Sequence, residues 1–168
     1  MKAQIESELR IIVGQPLTFT RRIVDFQAFE FGPQLPTISR NGQPMTKADY
    51  VLHVQCPWRI IRNGAVFVGS EDSYARVPED TDLSELDIDQ HEASRRDFFM
   101  SQMRLDLVKN ERYVEGVTAD ELGGIKITLS NGDILDLFPC NTDDQDAWRL
   151  MIPDRCIVLS GEGLYTMP

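Results

Sequence analysis

The chain has 168 residues, of which 42% are hydrophobic and 26% charged, a composition that suits one domain with a buried core. Its formal net charge is −10, which repels nucleic acid and anionic lipid, so we expect neither as a partner. No apolar run reaches the roughly 20 residues that span a membrane, and the N-terminus lacks a signal-peptide pattern, so the sequence predicts a cytoplasmic protein.

The chain begins with a helical pattern and continues with strand-forming segments. Apolar residues recur at helical spacing from Ile5 to Ile12, and Gly14 ends the run. This spacing predicts an N-terminal amphipathic helix. The segments 17–22 and 25–31 are rich in Thr, Phe, Ile and Val and predict two strands.

The segment 32–50 carries three prolines and two glycines without a clear period, and we expect a long surface loop there. The stretch that follows predicts one strand with a buried face, because five apolar residues alternate with others: Leu52, Val54, Cys56, Trp58 and Ile60. Asn63-Gly64 then predicts a hairpin turn. A two-residue loop would set Ile60 opposite Phe67, and a three-residue loop would set it opposite Val66.

An acidic run follows, with seven acids and no Lys or Arg between Pro78 and Glu92. Such a run is either a solvated loop or a docking surface for a basic protein. The candidate partner-binding residues of that surface are Glu79, Asp80, Asp82, Glu85, Asp87 and Asp89. A second amphipathic helix is predicted over 90–109, because Phe99, Met103 and Leu107 lie one turn apart, with Arg96 and Ser101 off their face.

The last third of the chain predicts β-structure throughout. A strand near 113–119 precedes a hairpin whose register can be chosen from the sequence. A three-residue loop at 130–132 keeps the apolar residues of both strands on one face and sets Lys126 opposite Asp136 on the other. Two or three further strands are predicted from residue 147 onward.

The order of these elements predicts an α+β fold in a single domain of residues 1–168. We expect an antiparallel, strongly curved sheet or two packed sheets, with seven to ten strands in all. The central helix should cover one face, and the N-terminal helix should pack at an edge.

Few residues of the chain are candidates for catalysis or metal binding. His53 and Cys56 have the spacing of a metal clip or a catalytic pair, but an offset of three on a strand places them on opposite faces. The three cysteines include no C-x-x-C pair, so we expect neither a disulfide framework nor a metal site. The sequence has no glycine-rich phosphate-binding motif, and we expect no cofactor.

Two Trp-Arg pairs form the most distinctive motif of the chain. Trp58 and Trp148 fall on the apolar face of a strand pattern, and Arg59 and Arg149 fall on the other face, which favours core tryptophans and outer arginines. An alternative is that the two arginines converge on an anion. The candidate ligand-binding residues are then Arg59, Asp72, Arg149 and His53.

In the order of its motifs, the chain resembles a group of small, uncharacterised bacterial proteins that share the CPWR hairpin and a late Trp-Arg segment. The resemblance rests on "YVLHVQCPWRIIRNGAVFVGSED", "GIKITLSNGDILDLFP" and "DAWRLM", and it implies no catalytic residue. In size and acidity, the chain is also similar to immunity proteins that neutralise bacterial toxins.

We therefore expect a non-enzymatic binding protein of the bacterial cytoplasm. Its partner would be a basic protein, and the most specific form of this expectation is an immunity protein that neutralises a basic toxin. The alternative is a small-ligand sensor or an enzyme with an anion site at Arg59 and Arg149.

Overall fold

The computed structural model describes residues 1–39, 41–77, 93–140 and 144–168. Two α-helices lie in these ranges: α1 (Lys2–Leu9), which continues as a 3-10 turn over Arg10–Ile12, and α2 (Arg95–Lys109). The strands of the same ranges are β1 (Leu17–Ile23), β2 (Phe26–Phe31), β3 (Leu35–Ile38), β4 (Pro44–Lys47), β5 (Tyr50–Val54), β6 (Trp58–Arg62), β7 (Ala65–Gly69), β8 (Val114–Ala119), β9 (Ile125–Leu129), β10 (Ile134–Leu137), β11 (Asp146–Ile152), β12 (Arg155–Ser160) and β13 (Gly163–Met167).

In the described part of the chain, the strands form three antiparallel sheets. The first has six strands in the order β1-β2-β5-β11-β12-β13, and the second has five in the order β7-β6-β10-β9-β8. β3 and β4 pair only with each other. The predicted α+β class, with antiparallel sheets, an N-terminal helix and a central helix, is confirmed.

The two larger sheets face each other across one hydrophobic core, to which both contribute. Phe29 of the six-stranded sheet meets Trp58 of the five-stranded sheet edge to face, with ring centroids 5.4 Å apart. Trp148 is fully buried, and its indole N–H donates a hydrogen bond to the carbonyl of Gly123 at 2.9 Å. Both tryptophans therefore anchor the core, as their position in the strand patterns predicts.

The two helices close the sides between the sheets. α2 contacts β1 and β7, which are edge strands of different sheets. α1 contacts β8 at the other edge of the five-stranded sheet, and Glu8 of α1 binds Arg155 of β12 at 2.8 Å. Each helix therefore links one sheet to the other along an open side of the core.

The single strand predicted across residues 52–60 is wrong, because β5 and β6 belong to different sheets. The chain crosses between the sheets at Gln55, Cys56 and Pro57, where the N–H groups of Gln55 and Cys56 both donate to the carbonyl of Ala147 at 2.9 Å. The break falls beside Pro57, which has no N–H to donate to a strand ladder. The alternating buried face nevertheless persists across the break.

The hairpin at residues 130–132 has the predicted register. Asp136 lies opposite Lys126 and Leu135 lies opposite Ile127. The apolar residues of both strands share the buried face, so the requirement for an unbroken hydrophobic face determines the pairing.

The hairpin at Asn63-Gly64 has neither of the two predicted registers. Both turn residues have positive φ, 51° and 77°, as a two-residue hairpin turn requires. A bulge in β7 then sets Ile60 opposite Val68. Val68 is fully buried beside Ile60, and a bulge of this kind cannot be read from the turn alone.

The segment 32–50, expected as a loop, contains the β3–β4 hairpin. Both strands are largely exposed, so no alternation of buried and exposed residues marks them in the sequence. Ala48, directly after β4, is buried, and its N–H donates to Oε2 of Glu30 at 3.1 Å. In the described part of the chain, this hairpin and the split strand explain why thirteen strands form instead of seven to ten.

α2 begins at Arg95, later than the predicted residue 90. Ser94 caps it, because its Oγ accepts from the N–H of Asp97 at 3.2 Å and its own N–H donates to Oδ2 of Asp97 at 3.0 Å. Arg96 and Ser101, expected off the buried face, are 4% and 2% exposed. The expectation that Arg96 and Ser101 lie off the buried face is wrong, because α2 packs against the edge strands of two sheets and buries more than one side of the helix.

Candidate functional site

Arg59 and Arg149 do not converge. Trp58 and Trp148 both face the core, so each neighbouring arginine lies on the outer face of its own sheet. Since the two sheets pack face to face, these outer faces point away from each other. An anion site shared by the two arginines is therefore not formed.

Arg59 is engaged on the outer face of the five-stranded sheet. Its Nε and Nη2 donate to Oδ2 of Asp136 at 2.9 and 2.7 Å, and its guanidinium lies 5.3 Å from the ring centroid of Phe138. Asp136 is the residue directly opposite on β10. These contacts make Arg59 one half of a cross-strand ion pair.

Asp72 stabilises a local turn. It lies in the 3-10 turn Ser70–Tyr74 that follows β7, and its Oδ2 accepts from the N–H of Gly69 at 2.9 Å. Its Oδ1 lies 3.7 Å from Nε of Arg95 at the start of α2. Asp72 therefore joins the end of β7 to α2.

His53 and Cys56 do not come together, because His53 lies on the outer face of β5 and Cys56 lies in the β5–β6 crossover, where it faces the core. Cys56 belongs to the core, and burial raises the pKa of its thiol to about 12, so the nucleophilic thiolate does not form near neutral pH. His53 lies on the outer face, directly opposite Arg149 of β11. The structure therefore brings two of the four predicted ligand-binding residues together, His53 and Arg149.

The acidic run lies outside the described residues, and so do its six candidate partner-binding acids: Glu79, Asp80, Asp82, Glu85, Asp87 and Asp89. The residues on either side of it are described. Arg76 and Ser94 pair in an isolated antiparallel bridge. Asp97, three residues after Ser94, lies 3.4 Å from Arg22 of β1. The run therefore leaves and rejoins the fold close to the β1–β2 turn.

A groove of about 710 Å³ opens at one end of the two sheets, and we call it the end groove. The β1–β2, β8–β9 and β12–β13 turns, the β5–β6 crossover, the segment after β10, the start of β11 and Met1 line it. Its volume lies in the range of about 300–1,000 Å³ that is typical of ligand sites. The end groove is therefore large enough to receive part of a partner.

Three carboxylates line the end groove, from Asp25, Glu121 and Asp146. No Lys or Arg side chain lines it in the described ranges, but Met1 does, and its α-ammonium group lies 3.6 Å from Oε2 of Glu121. Asp25 and Glu121 are exposed. Asp146 binds Arg149 through Oδ2 and accepts a hydrogen bond from the Tyr165 hydroxyl at 3.2 Å. The end groove therefore presents negative charge to solvent.

The sequence pattern did not single out these three carboxylates. Asp25 and Glu121 lie in turns, and the chain has 27 acids, so no local signal distinguishes a groove acid from a solvated one. Only the topology brings the two turns and the start of β11 to one end of the sheets.

No family model, no curated protein and no solved structure matches the chain. The resemblance to the CPWR-hairpin group stays a prediction. Neither helix in the described ranges has the length and apolar character that crossing a membrane requires.

Proposed function

We propose that this protein is a non-enzymatic binding protein that receives a cationic partner at the end groove. The observation that carries the proposal is the set of three groove carboxylates, which outnumber the one α-ammonium group, that of Met1, in the described lining. A lysine or arginine side chain of a partner would enter the groove and meet Asp25 and Glu121. Charge complementarity of this kind mainly increases the association rate and selects the partner.

The acidic run supports the same proposal. Its anchor points lie near the β1–β2 turn, which also supplies Val24 and Asp25 to the end groove. Seven further acids therefore belong to a segment that starts close to the groove. In its most specific form, the proposal makes the partner a basic toxin and this chain the cytoplasmic immunity protein that neutralises it.

A lysine- and arginine-rich peptide tests the proposal by calorimetry at low and at high salt. The double variant Asp25→Asn, Glu121→Gln should bind the peptide several-fold more weakly at low salt. Neutralising the acidic run should weaken binding further. High salt should abolish the difference, because exposed charges are screened.

The matched control is Glu115→Gln with Asp154→Asn, which removes the same two charges at exposed positions of the opposite end of the sheets. This variant should bind the peptide as the wild-type protein does. If the control weakens binding as much as the groove variant, the peptide responds only to net charge and the proposal fails. A toxin-like reading frame beside the gene would support the immunity form.

A further inference from the structure

One row of directly paired residues crosses all six strands on the outer face of the six-stranded sheet: Arg21, Ala28, His53, Arg149, Val158 and Tyr165. Neighbouring strands are about 4.8 Å apart, so His53 and Arg149 are adjacent. Arg21 lies two strands from His53, on the other side of Ala28.

A third cation reaches this row from the β3–β4 hairpin. Lys47 is the last residue of β4, and the next residue, Ala48, donates its N–H to Glu30 on the same outer face. Burial, followed by the charges of Arg149, Lys47 and Arg21, lowers the pKa of the His53 imidazole to about 4. The imidazole is therefore neutral at pH 7, and the charges of three cations from three elements act on it. We call Arg21, Lys47, His53 and Arg149 the basic row.

Two carboxylates balance part of this charge. Nη2 of Arg21 lies 2.9 Å from Oε1 of the fully buried Glu30, and Arg149 is bound to Asp146. Three cations and two anions leave one positive charge in excess, although the chain as a whole carries −10. The excess charge is assignable to Lys47, which is exposed and forms no ion pair within the described ranges.

Several donors of the basic row have no acceptor. The Nε–H groups of Arg21 and Arg149 are buried without a hydrogen-bond partner in the described part of the protein. Buried donors of this kind are rare in folded proteins and call for an explanation, such as a bound group. The imidazole of His53 also makes no hydrogen bond to any residue of the described ranges, although the ring of Phe26 holds it at a centroid distance of 4.6 Å.

We propose that the basic row binds a single carboxylate group, which Lys47 and the guanidinium of Arg149 hold beside His53. One excess positive charge matches one carboxylate, whereas a doubly charged phosphate would leave a net negative charge on an already acidic chain. Guanidinium groups pair well with carboxylates through parallel N–H donors. The site adjoins the end groove, since Asp146 lines the groove and also binds Arg149. It takes a ligand of opposite charge through other residues, so it does not depend on the proposed function.

The carboxylate can belong to a small acid or to the C-terminus of a peptide, since both present the same group. N-acetylglycine, a short peptide with a free C-terminus and inorganic phosphate serve as probes at matched ionic strength. N-acetylglycinamide, which lacks the charge, is the control ligand. The readout is the side-chain NMR signal of His53, assigned with His91→Gln.

N-acetylglycine should shift the His53 signal to saturation and raise its pKa, because the carboxylate offsets the charges of Arg149, Lys47 and Arg21. N-acetylglycinamide should leave the signal unchanged. Tighter binding of the peptide than of N-acetylglycine would assign the site to chain termini, and the reverse order would assign it to small acids. Tighter binding of phosphate than of both carboxylates would overturn the proposal.

Arg149→Gln should weaken binding of N-acetylglycine by about tenfold or more, which is the usual effect of losing a charge-assisted hydrogen bond. Lys47→Gln changes an exposed residue, leaves the fold intact, and should weaken binding several-fold. Arg59→Gln is the matched control, because Arg59 is also an outer-face arginine paired with an aspartate, but on the other sheet. Equal weakening by Arg59→Gln and Lys47→Gln would contradict a local site.

Discussion

Asp133 is the most deeply buried charge at the end of the core opposite the end groove. It is 1% exposed, and it accepts hydrogen bonds from Arg62 at 2.8 Å and from Arg112 at 2.9 Å. Burial raises the pKa of its carboxyl, but the hydrogen bonds with Arg62 and Asn131 and the charges of Arg62 and Arg112 outweigh burial and lower it. The ionised Asp133 therefore stabilises the folded protein fully above the ordinary Asp pKa near 4. This stabilisation is lost as the pH falls towards the lower pKa that Asp133 has in the folded protein.

Asp133→Asn should lower the free energy of unfolding by about 3–5 kcal/mol at neutral pH, because it leaves a buried arginine, Arg112, without its inner partner. Urea unfolding measures the loss. The control is Asp136→Asn in β10, which removes another buried carboxylate but one whose partner, Arg59, has a side chain 44% exposed. That ion pair is screened by solvent and should cost about 1 kcal/mol or less. Equal losses would contradict the burial argument.

His53 should make the protein less stable in acid. Burial, followed by the charges of Arg149, Lys47 and Arg21, lowers its pKa to about 4, whereas the unfolded chain titrates near 6.5. Between these values the unfolded state binds a proton that the folded state does not, so stability rises with pH across this window. Urea unfolding of His53→Gln should show a flatter pH profile from 4 to 6.5 than the wild-type protein. His91→Gln is the comparison variant, and a His53→Gln profile parallel to wild type would refute the assignment.

The sequence predicts the location of some individual residues and not of others. The two tryptophans could be assigned to the core because each occupies an apolar position in a pattern in which apolar and polar residues alternate. The Arg62–Asp133–Arg112 cluster could not, because its members come from β6, the turn before β10 and the segment before β8. The basic row could not be predicted either, since Arg21 and Arg149 join one row only through strand pairing and Lys47 comes from the separate β3–β4 hairpin.

At the scale of single elements, the β8–β9 turn requires a glycine at one position. Gly123 has φ of +93°, and a Cβ atom there would lie 2.2 Å from a methyl carbon of the buried Leu159. The carbonyl of Gly123 also accepts the indole hydrogen bond of Trp148. The turn therefore couples the five-stranded sheet to the core of the six-stranded one.

Gly123→Ala should destabilise the protein by about 2 kcal/mol or more, because positive φ and a core clash act together. Gly132→Ala is the matched control, since Gly132 has φ of +84° and open space around its Cβ position. It should cost about 1–2 kcal/mol from backbone strain alone. Thermal unfolding and the Trp148 fluorescence spectrum distinguish the two variants. Identical losses of stability in both, with an unchanged spectrum of Gly123→Ala, would contradict the clash.

Elements were predictable where one local pattern decides them. The register at residues 130–132 follows from a single hydrophobic face, and the N-terminal helix follows from its spacing and Gly14. The β5–β6 crossover was not predictable, because the buried face continues through it and only the hydrogen bonds to Ala147 reveal the change of sheet. The β3–β4 hairpin was missed because its strands have no buried face.

At the scale of the whole molecule, charge is segregated between two regions of the surface. The end groove presents Asp25 and Glu121, and the basic row presents Lys47 beside Arg149. Composition alone predicts an acidic surface everywhere, because the net charge is −10. The sheet topology separates the two regions, and the two proposed partners have opposite charge for that reason.

Paramagnetic relaxation by two cosolutes that differ only in charge tests this segregation residue by residue. The cationic cosolute should broaden the amide signals of Val24, Asp25 and Gly161 at the end groove more than the anionic one does. The anionic cosolute should have the larger effect at Lys47 and on the His53 ring. A stronger effect of the cationic cosolute at every one of these positions would show a uniformly acidic surface and contradict both the charge segregation and the basic row.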